Sequence, residues 1–198
     1  MPVGPDVSTE QLAADLARVL VELRNLVVPP TALDDPALRW YRAEPLITID
    51  RSIRNDLSEC RKLRGLDLDI DACLRVWEHA MDTFDDEPRK SPHWLHGDLF
   101  AEDLLLRDGR LAAVLDFGGL SIGDPTVDLV AGWELLDPHS RNTFRSAVGV
   151  DDVTWIRGRA WALAIGVMTF PYYWNSMPDR CSSRLEMVRA VLGDAQTD

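Results

Sequence analysis

Lysine is almost missing from this chain: only Lys62 and Lys90 occur among 198 residues, and the rest of its 21 basic side chains are arginine. Neither lysine sits in a strand-like apolar context. Basic residues are outnumbered by 33 acidic ones, which argues against a nucleic acid partner, because phosphate contacts are supplied mainly by Lys and Arg. Glycine is scarce at the front, where Gly4 and Gly65 are the only two in the first ninety residues. Cys60, Cys73 and Cys181 are odd in number, widely spaced and in no paired ligand motif, so a disulfide framework is not expected. A reducing, cytoplasmic setting follows. The N-terminus has no basic segment followed by an apolar run, so no secretory signal is expected. The longest apolar stretch, Ala160 to Trp174, is shorter than the ~20 residues of a spanning helix and is broken by Pro171, which leaves no membrane partner. Internal repeats, low-complexity tracts and flexible linkers are also missing.

What is present points to one packed domain over residues 1–198. The hydrophobic content is 46% and there are seven tryptophans, enough for a substantial core. The formal charge of −12 would draw a cationic small molecule, although solubility alone accounts for such an excess.

Hydrophobic periodicity predicts a mainly helical α+β chain. Residues 1–7 form an irregular lead-in. Ser8-Thr9-Glu10-Gln11 has the pattern of a capping box, followed by an apolar stripe of Leu12, Leu16, Val19, Leu20, Leu23 and Val27 that Pro29-Pro30 ends. Asp34 to Pro45 reads as a loop with one short turn, and residues from about Ser52 to Arg64 as a polar helix. Ile70, Leu74, Trp77, Met81 and Phe84 recur at helical spacing and predict a helix buried on one face, with Trp77 in the core. Asp85 to Pro92 is a charged link. Gly123-Asp124-Pro125 starts a helix running to about Leu136, and Asp137-Pro138 interrupts before another from Ser140 to Val148. Asp151 or Asp152 caps a long helix that Pro171-Tyr172-Tyr173-Trp174 terminates or kinks. A last helix spans about Ser182 to Leu192.

Between two helical regions lies a different kind of stretch, from His93 to Asp128. It contains His96-Gly97-Asp98, Asp103, and Asp116-Phe117-Gly118. The apolar runs 104–106 and 111–115 flank Asp108-Gly109, a pair suited to a two-residue hairpin turn with positive φ angles. Such a hairpin would carry Asp103 into its first strand and deliver Asp116 at the end of its second. Two distant carboxylates would converge there, as a hard divalent cation requires.

Taken in order, His96-Gly97-Asp98, Asp103, Asp116-Phe117-Gly118 and Gly123-Asp124-Pro125 with Asp128 make the chain resemble the aminoglycoside phosphotransferase family, whose fold is similar to that of protein kinases. The resemblance implies the C-terminal lobe of a kinase-like fold with a small β-hairpin at the catalytic loop. It implies ATP or GTP as phosphoryl donor, Mg2+ as cofactor, and a hydroxyl of an aminoglycoside or other polar small molecule as acceptor. By the same resemblance Asp98 is the catalytic aspartate, Asp103 and Asp116 are the metal ligands, His96 is a packing and hydrogen-bonding residue, and Asp128 braces the catalytic loop from behind. Asp124 is expected to cap its helix in preference to sharing that brace. Trp133, Trp155, Tyr172, Tyr173 and Trp174 either line an acceptor pocket or pack in the core, and packing is the expectation.

The chain departs from the family pattern in two places. The family usually has Asn at the position of Asp103, and His-Pro-Gly where this chain has Phe100-Ala101-Glu102. A carboxylate still offers oxygen to magnesium but adds negative charge beside phosphates. Further, the family's N-terminal lobe, with its phosphate-covering loop and lysine, has no counterpart before Ser8. The expectation is a C-lobe alone, which either self-associates or takes its N-lobe from a separate partner. Three readings stay open: a small-molecule kinase, a truncated and inactive lobe acting as a binding module or remnant, and a metal-dependent hydrolase in which water replaces the acceptor.

Overall fold

The helix α1 (Thr9–Asn25) sets the frame for the front of the molecule, with Leu12, Leu16 and Leu20 of its stripe buried. The stripe outlasts the helix, since Val27 lies beyond the last turn and is 86% exposed. In this computed structural model residues 9–84 and 91–196 are described. The expected capping residue Ser8, the lead-in 1–7 and most of the charged link after Phe84 fall outside them.

After a four-residue turn of helix, α2 (Pro30–Leu33), the interval Asp34 to Pro45 read as a loop with one turn holds two 3-10 turns, at Pro36–Leu38 and Tyr41–Ala43, and a third follows it at Leu46–Ile49. Pro36 and Pro45 limit the backbone there without preventing tight i to i+3 bonds. The polar helix α3 (Asp50–Cys60) buries Ile53, Leu57 and Cys60. Then α4 (Ile70–Met81), capped by Asp69, buries Trp77 completely, and its indole Nε1 donates to Asp50 at 2.7 Å.

Two small antiparallel sheets follow. In one, β1 (His93–Leu95) pairs with β4 (Ser121–Gly123), matching Trp94 to Ile122. In the other, β2 (Leu104–Arg107) pairs with β3 (Arg110–Val114). Asp108 and Gly109 both have positive φ, 52° and 74°, as a primed hairpin turn demands. The β1–β4 pairing had no sequence signal of its own, because three-residue strands are too short to show alternation.

Asp124 caps the next segment by accepting from the Thr126 N–H, but that segment is a 3-10 stretch over Pro125–Val130 before α5 (Ala131–Leu135) begins. Then come α6 (Pro138–Val148), α7 (Asp152–Tyr173, capped by Asp151) and α8 (Pro178–Asp194). The long helix α7 is the centre of the core: Trp161, Leu163 and Phe170 are fully buried, with apolar neighbours on all sides. Pro171 lies inside α7, and the carbonyl it cannot pair, that of Val167, faces the Cys60 thiol at 3.7 Å. Trp133 and Trp155 are buried and pack against each other with tilted rings, centroids 4.5 Å apart, so packing accounts for both. Among the described residues no helix is long and apolar enough to cross a membrane. The whole is mainly helical with two small sheets.

Candidate active site

The hairpin β2–β3 is fastened to α1 by one carboxylate. Asp15, buried on the helix, accepts from Arg110 Nε at 2.8 Å, Arg110 Nη2 at 2.7 Å and the Leu111 N–H at 3.2 Å. These bonds, the Arg110 guanidinium foremost, lower the Asp15 pKa to about 2. Fixing the hairpin fixes its two ends, and the Leu115 N–H donates to the Asp103 carbonyl at 2.7 Å. The backbones of Asp103 and of the residue before Asp116 are thus joined. Asp103 itself lies in a 3-10 turn, Ala101–Asp103, immediately before β2 and not within the strand.

The segment from β1 to Asp98 turns sharply at Gly97, whose φ is +84°. A side chain there would also collide with the Gly119 carbonyl, 2.6 Å from the place a Cβ would take. Asp128 stands behind this turn. Its Oδ2 accepts from the His96 N–H and its Oδ1 from the Gly97 N–H, each at 2.8 Å. Two adjacent donors call for a group with two acceptor oxygens, which an ionised carboxylate supplies. Burial opposes that ionisation and raises the Asp128 pKa to about 6, even against the two backbone bonds. His96 is buried too; its Nε2 lies 2.9 Å from the Leu115 carbonyl and its ring packs on Phe117.

Asp98 leaves this turn toward solvent, with its side chain 44% exposed. Asp116 is exposed as well and takes a left-handed backbone, φ 52° and ψ 66°, which its own carboxylate steadies by accepting from the Gly118 N–H at 3.2 Å. A non-glycine residue in that region costs about 1 kcal/mol or more, so the surrounding contacts must hold it. Asp103 is buried. Its pKa is raised chiefly by burial, with the Phe100 N–H opposing and the charges of Glu102 and Asp98 adding to the rise.

The donor set suits magnesium. Hard oxygen ligands are present, and a cation would relieve the buried negative charge at Asp103. Among the described residues no group of three His, Cys, Asp or Glu side chains could hold an ion alone. Phosphate oxygens and water would have to complete the coordination, as is usual for magnesium at nucleotides.

Two features of the site carried no signal in the sequence. One is Arg42, from the Tyr41–Ala43 turn, whose Nη1 pairs with Asp98 Oδ1 and bonds the Gly97 carbonyl at 3.1 Å. The other is Glu134, which braces the loop between Asp98 and Asp103. Its Oε2 accepts from the Ala101 N–H at 3.0 Å, and its Oε1 pairs with Arg184 of α8. Burial raises the Glu134 pKa against the pull of Arg184. Arg184 also lies over the Phe100 ring, 4.0 Å from its centroid, so the unusual Phe100-Ala101-Glu102 segment is the part that α8 grips.

No curated protein matches the chain. Among solved structures, aminoglycoside 2'-phosphotransferase-IIIa in its GDP complex superposes with a TM-score of 0.60 at 21% identity, covering 96% of this chain and 64% of its own. The streptomycin–ATP ternary complex of APH(2'')-IIa gives 0.53 at 19% identity, covering 93% and 64%. Macrolide 2'-phosphotransferase MphH from Brachybacterium faecium gives 0.55 at 20% identity, covering 94% and 60%. The present chain thus spans less than two thirds of the length of these neighbours, and the likeness at such identities is one of fold. The family model for the phosphotransferase enzyme family, APH, matches residues 3–162, most of the chain including the whole His93 to Asp128 stretch. The chain belongs to the phosphotransferase enzyme family.

Proposed function

We propose that this chain is the C-terminal, kinase-like lobe of a small-molecule phosphotransferase in which Asp98 is the catalytic base. The observation that carries the reading is the turn His96–Asp98: pinned from behind by Asp128, it presents a part-exposed carboxylate beside the joined ends of the β2–β3 hairpin. In the reaction an acceptor hydroxyl gives its proton to Asp98 and its oxygen bonds to the γ-phosphorus of ATP or GTP. The bond from that phosphorus to the β-phosphate oxygen breaks, and ADP or GDP leaves. Transfer of this kind needs position and charge neutralisation more than covalent chemistry. Magnesium, when bound, supplies part of that neutralisation, and Asp103 and Asp116 would hold it. Asp128 and His96 keep the loop's backbone in place. The acidic surface favours a cationic acceptor, such as an aminoglycoside.

The second reading is a lobe without turnover, acting as a binding module. It draws support from how the described lysine is engaged. Lys62, the single lysine among the described residues, is engaged with Glu59 at 2.6 Å. Exposed Val27, Leu105, Leu115 and Phe117 are apolar surface available for self-association or for a separate partner lobe. A monodisperse monomer in sedimentation would count against self-association.

The deciding assay is phosphoryl transfer from γ-labelled ATP and GTP to a panel of aminoglycosides and macrolides. Asp98→Asn should lower kcat by about 10²–10⁴. Transfer that survives this substitution unchanged would overturn the assignment of the base.

A further inference from the structure

Arg42 is built into the site more firmly than a surface ion pair requires. Its Nε donates to the Tyr41 hydroxyl at 2.9 Å, and its Nη1 donates to the Gly97 carbonyl. Its guanidinium carbon lies 4.5 Å from the centre of the Trp40 ring. That ring is wedged against Gly97 and Gly119, so closely that a Cβ at Gly119 would come within 2.7 Å of it. The turn carrying Arg42 is tied down next door as well, because the Ala43 carbonyl accepts from the Asp124 N–H at 2.8 Å. None of these contacts involves Asp98. The Arg42 side chain, 13% exposed, would stay in place without its carboxylate partner.

Asp98 is held unequally. Oδ1 takes the Arg42 pair, while among the described residues nothing donates to Oδ2. We propose that Arg42 is a positioning residue for Asp98, anchoring Oδ1 so that Oδ2 is presented to the acceptor hydroxyl. This role rests on the reading of Asp98 as the base. An aspartate side chain has two free rotations, and in open solvent it samples rotamers that point neither oxygen at an acceptor. A guanidinium fixed from the other side removes that freedom in advance, so the orientation costs nothing at the moment of reaction. The fork geometry matters: three acceptors in different directions are met by one planar cation, which a lysine ammonium on a flexible stem would not reproduce. Masking of the base is the opposite role, and the free Oδ2 on a part-exposed side chain argues against it.

The test uses the full chain with whichever nucleotide and acceptor it turns over, comparing wild type, Arg42→Gln, Arg42→Lys, Asp98→Asn and the double substitution. Arg42→Gln should lower kcat by about 10- to 100-fold with KM for the acceptor nearly constant, and Arg42→Lys should fall between it and wild type. The double variant should be no slower than Asp98→Asn alone, since an orienting residue has nothing left to orient. An unchanged or raised kcat in Arg42→Gln, a change confined to KM, or additive losses in the double variant would overturn the role. A second measurement does not depend on turnover. In protein labelled with 15N-arginine, the Arg42 Nε–H should give a distinct, slowly exchanging resonance that persists in Asp98→Asn. A signal averaged with those of exposed arginines would overturn the proposal directly. No transfer by the wild type to any acceptor would overturn the base and this role together, whereas transfer that Arg42→Gln leaves intact overturns this role alone.

Discussion

Around α7 the molecule is held by packed apolar side chains, whereas from His93 to Asp128 it is held by a few carboxylates that each gather several donors. Trp161, Leu163 and Phe170 have no accessible surface and share their burial among many neighbours. Asp15, Asp128 and Glu134 instead concentrate it: one side chain fastens the hairpin, one the turn before Asp98, one the loop before Asp103. The difference teaches that the core sets the fold while single charged residues set the site. A packed helix tolerates graded change. A carboxylate serving two buried N–H groups does not.

Asp128→Ala gives the largest expected effect, because it orphans the His96 and Gly97 N–H groups together. A loss of about 2–4 kcal/mol in urea denaturation follows from two unmet buried donors. Asp128→Asn retains one acceptor, so it should cost less, and its cost should depend on pH. The folded-state pKa of Asp128, about 6, is raised above the ordinary 3.8, so the native state binds the proton more tightly and wild-type stability falls as pH rises from about 4 through 6. The asparagine variant lacks that fall, and its deficit relative to wild type should narrow over the same window. A deficit independent of pH would break the electrostatic half of the comparison.

Gly166→Ala probes the packed half. A Cβ there would lie 2.3 Å from Cγ2 of the buried Val188, which has no room to swing away. Overpacking of this kind costs about 1–3 kcal/mol, partly offset by about 1 kcal/mol of helix propensity. A Tm unchanged or raised in this variant would show that α7 and α8 are less closely fitted than the front is fastened. Asp15→Asn should cost about 1–2 kcal/mol by weakening its charge-assisted bonds. Because the folded pKa of Asp15 is depressed to about 2, its contribution is complete above the ordinary 3.8 and is lost as pH falls toward 2. The variant and wild type should therefore converge in acid. Leu105→Ser, on the outer face of the hairpin, should change stability by less than about 0.5 kcal/mol, and a larger loss would reveal a covered surface there.

The helices were legible because periodicity reports burial. Trp77 and the stripe from Leu12 to Leu20 are where that pattern puts them. The Asp108-Gly109 turn was legible because few dipeptides accept two positive φ angles. Arg42 was not, since nothing local distinguishes an arginine in a proline-punctuated interval from any surface cation, and its partner is 56 residues away. Glu134 was hidden for a related reason: it lies on a short helix, and both its partners, Ala101 and Arg184, are remote in sequence. Long-range polar pairs leave no periodic trace.

The most direct test of the central claim, that the ends of the hairpin form a nucleotide and metal site, is calorimetric titration of the full chain with ATP in the presence and absence of magnesium, repeated on Asp116→Ala. Weak binding that requires magnesium and disappears in Asp116→Ala is the predicted result. Tight binding that needs no magnesium and is indifferent to that substitution would contradict it.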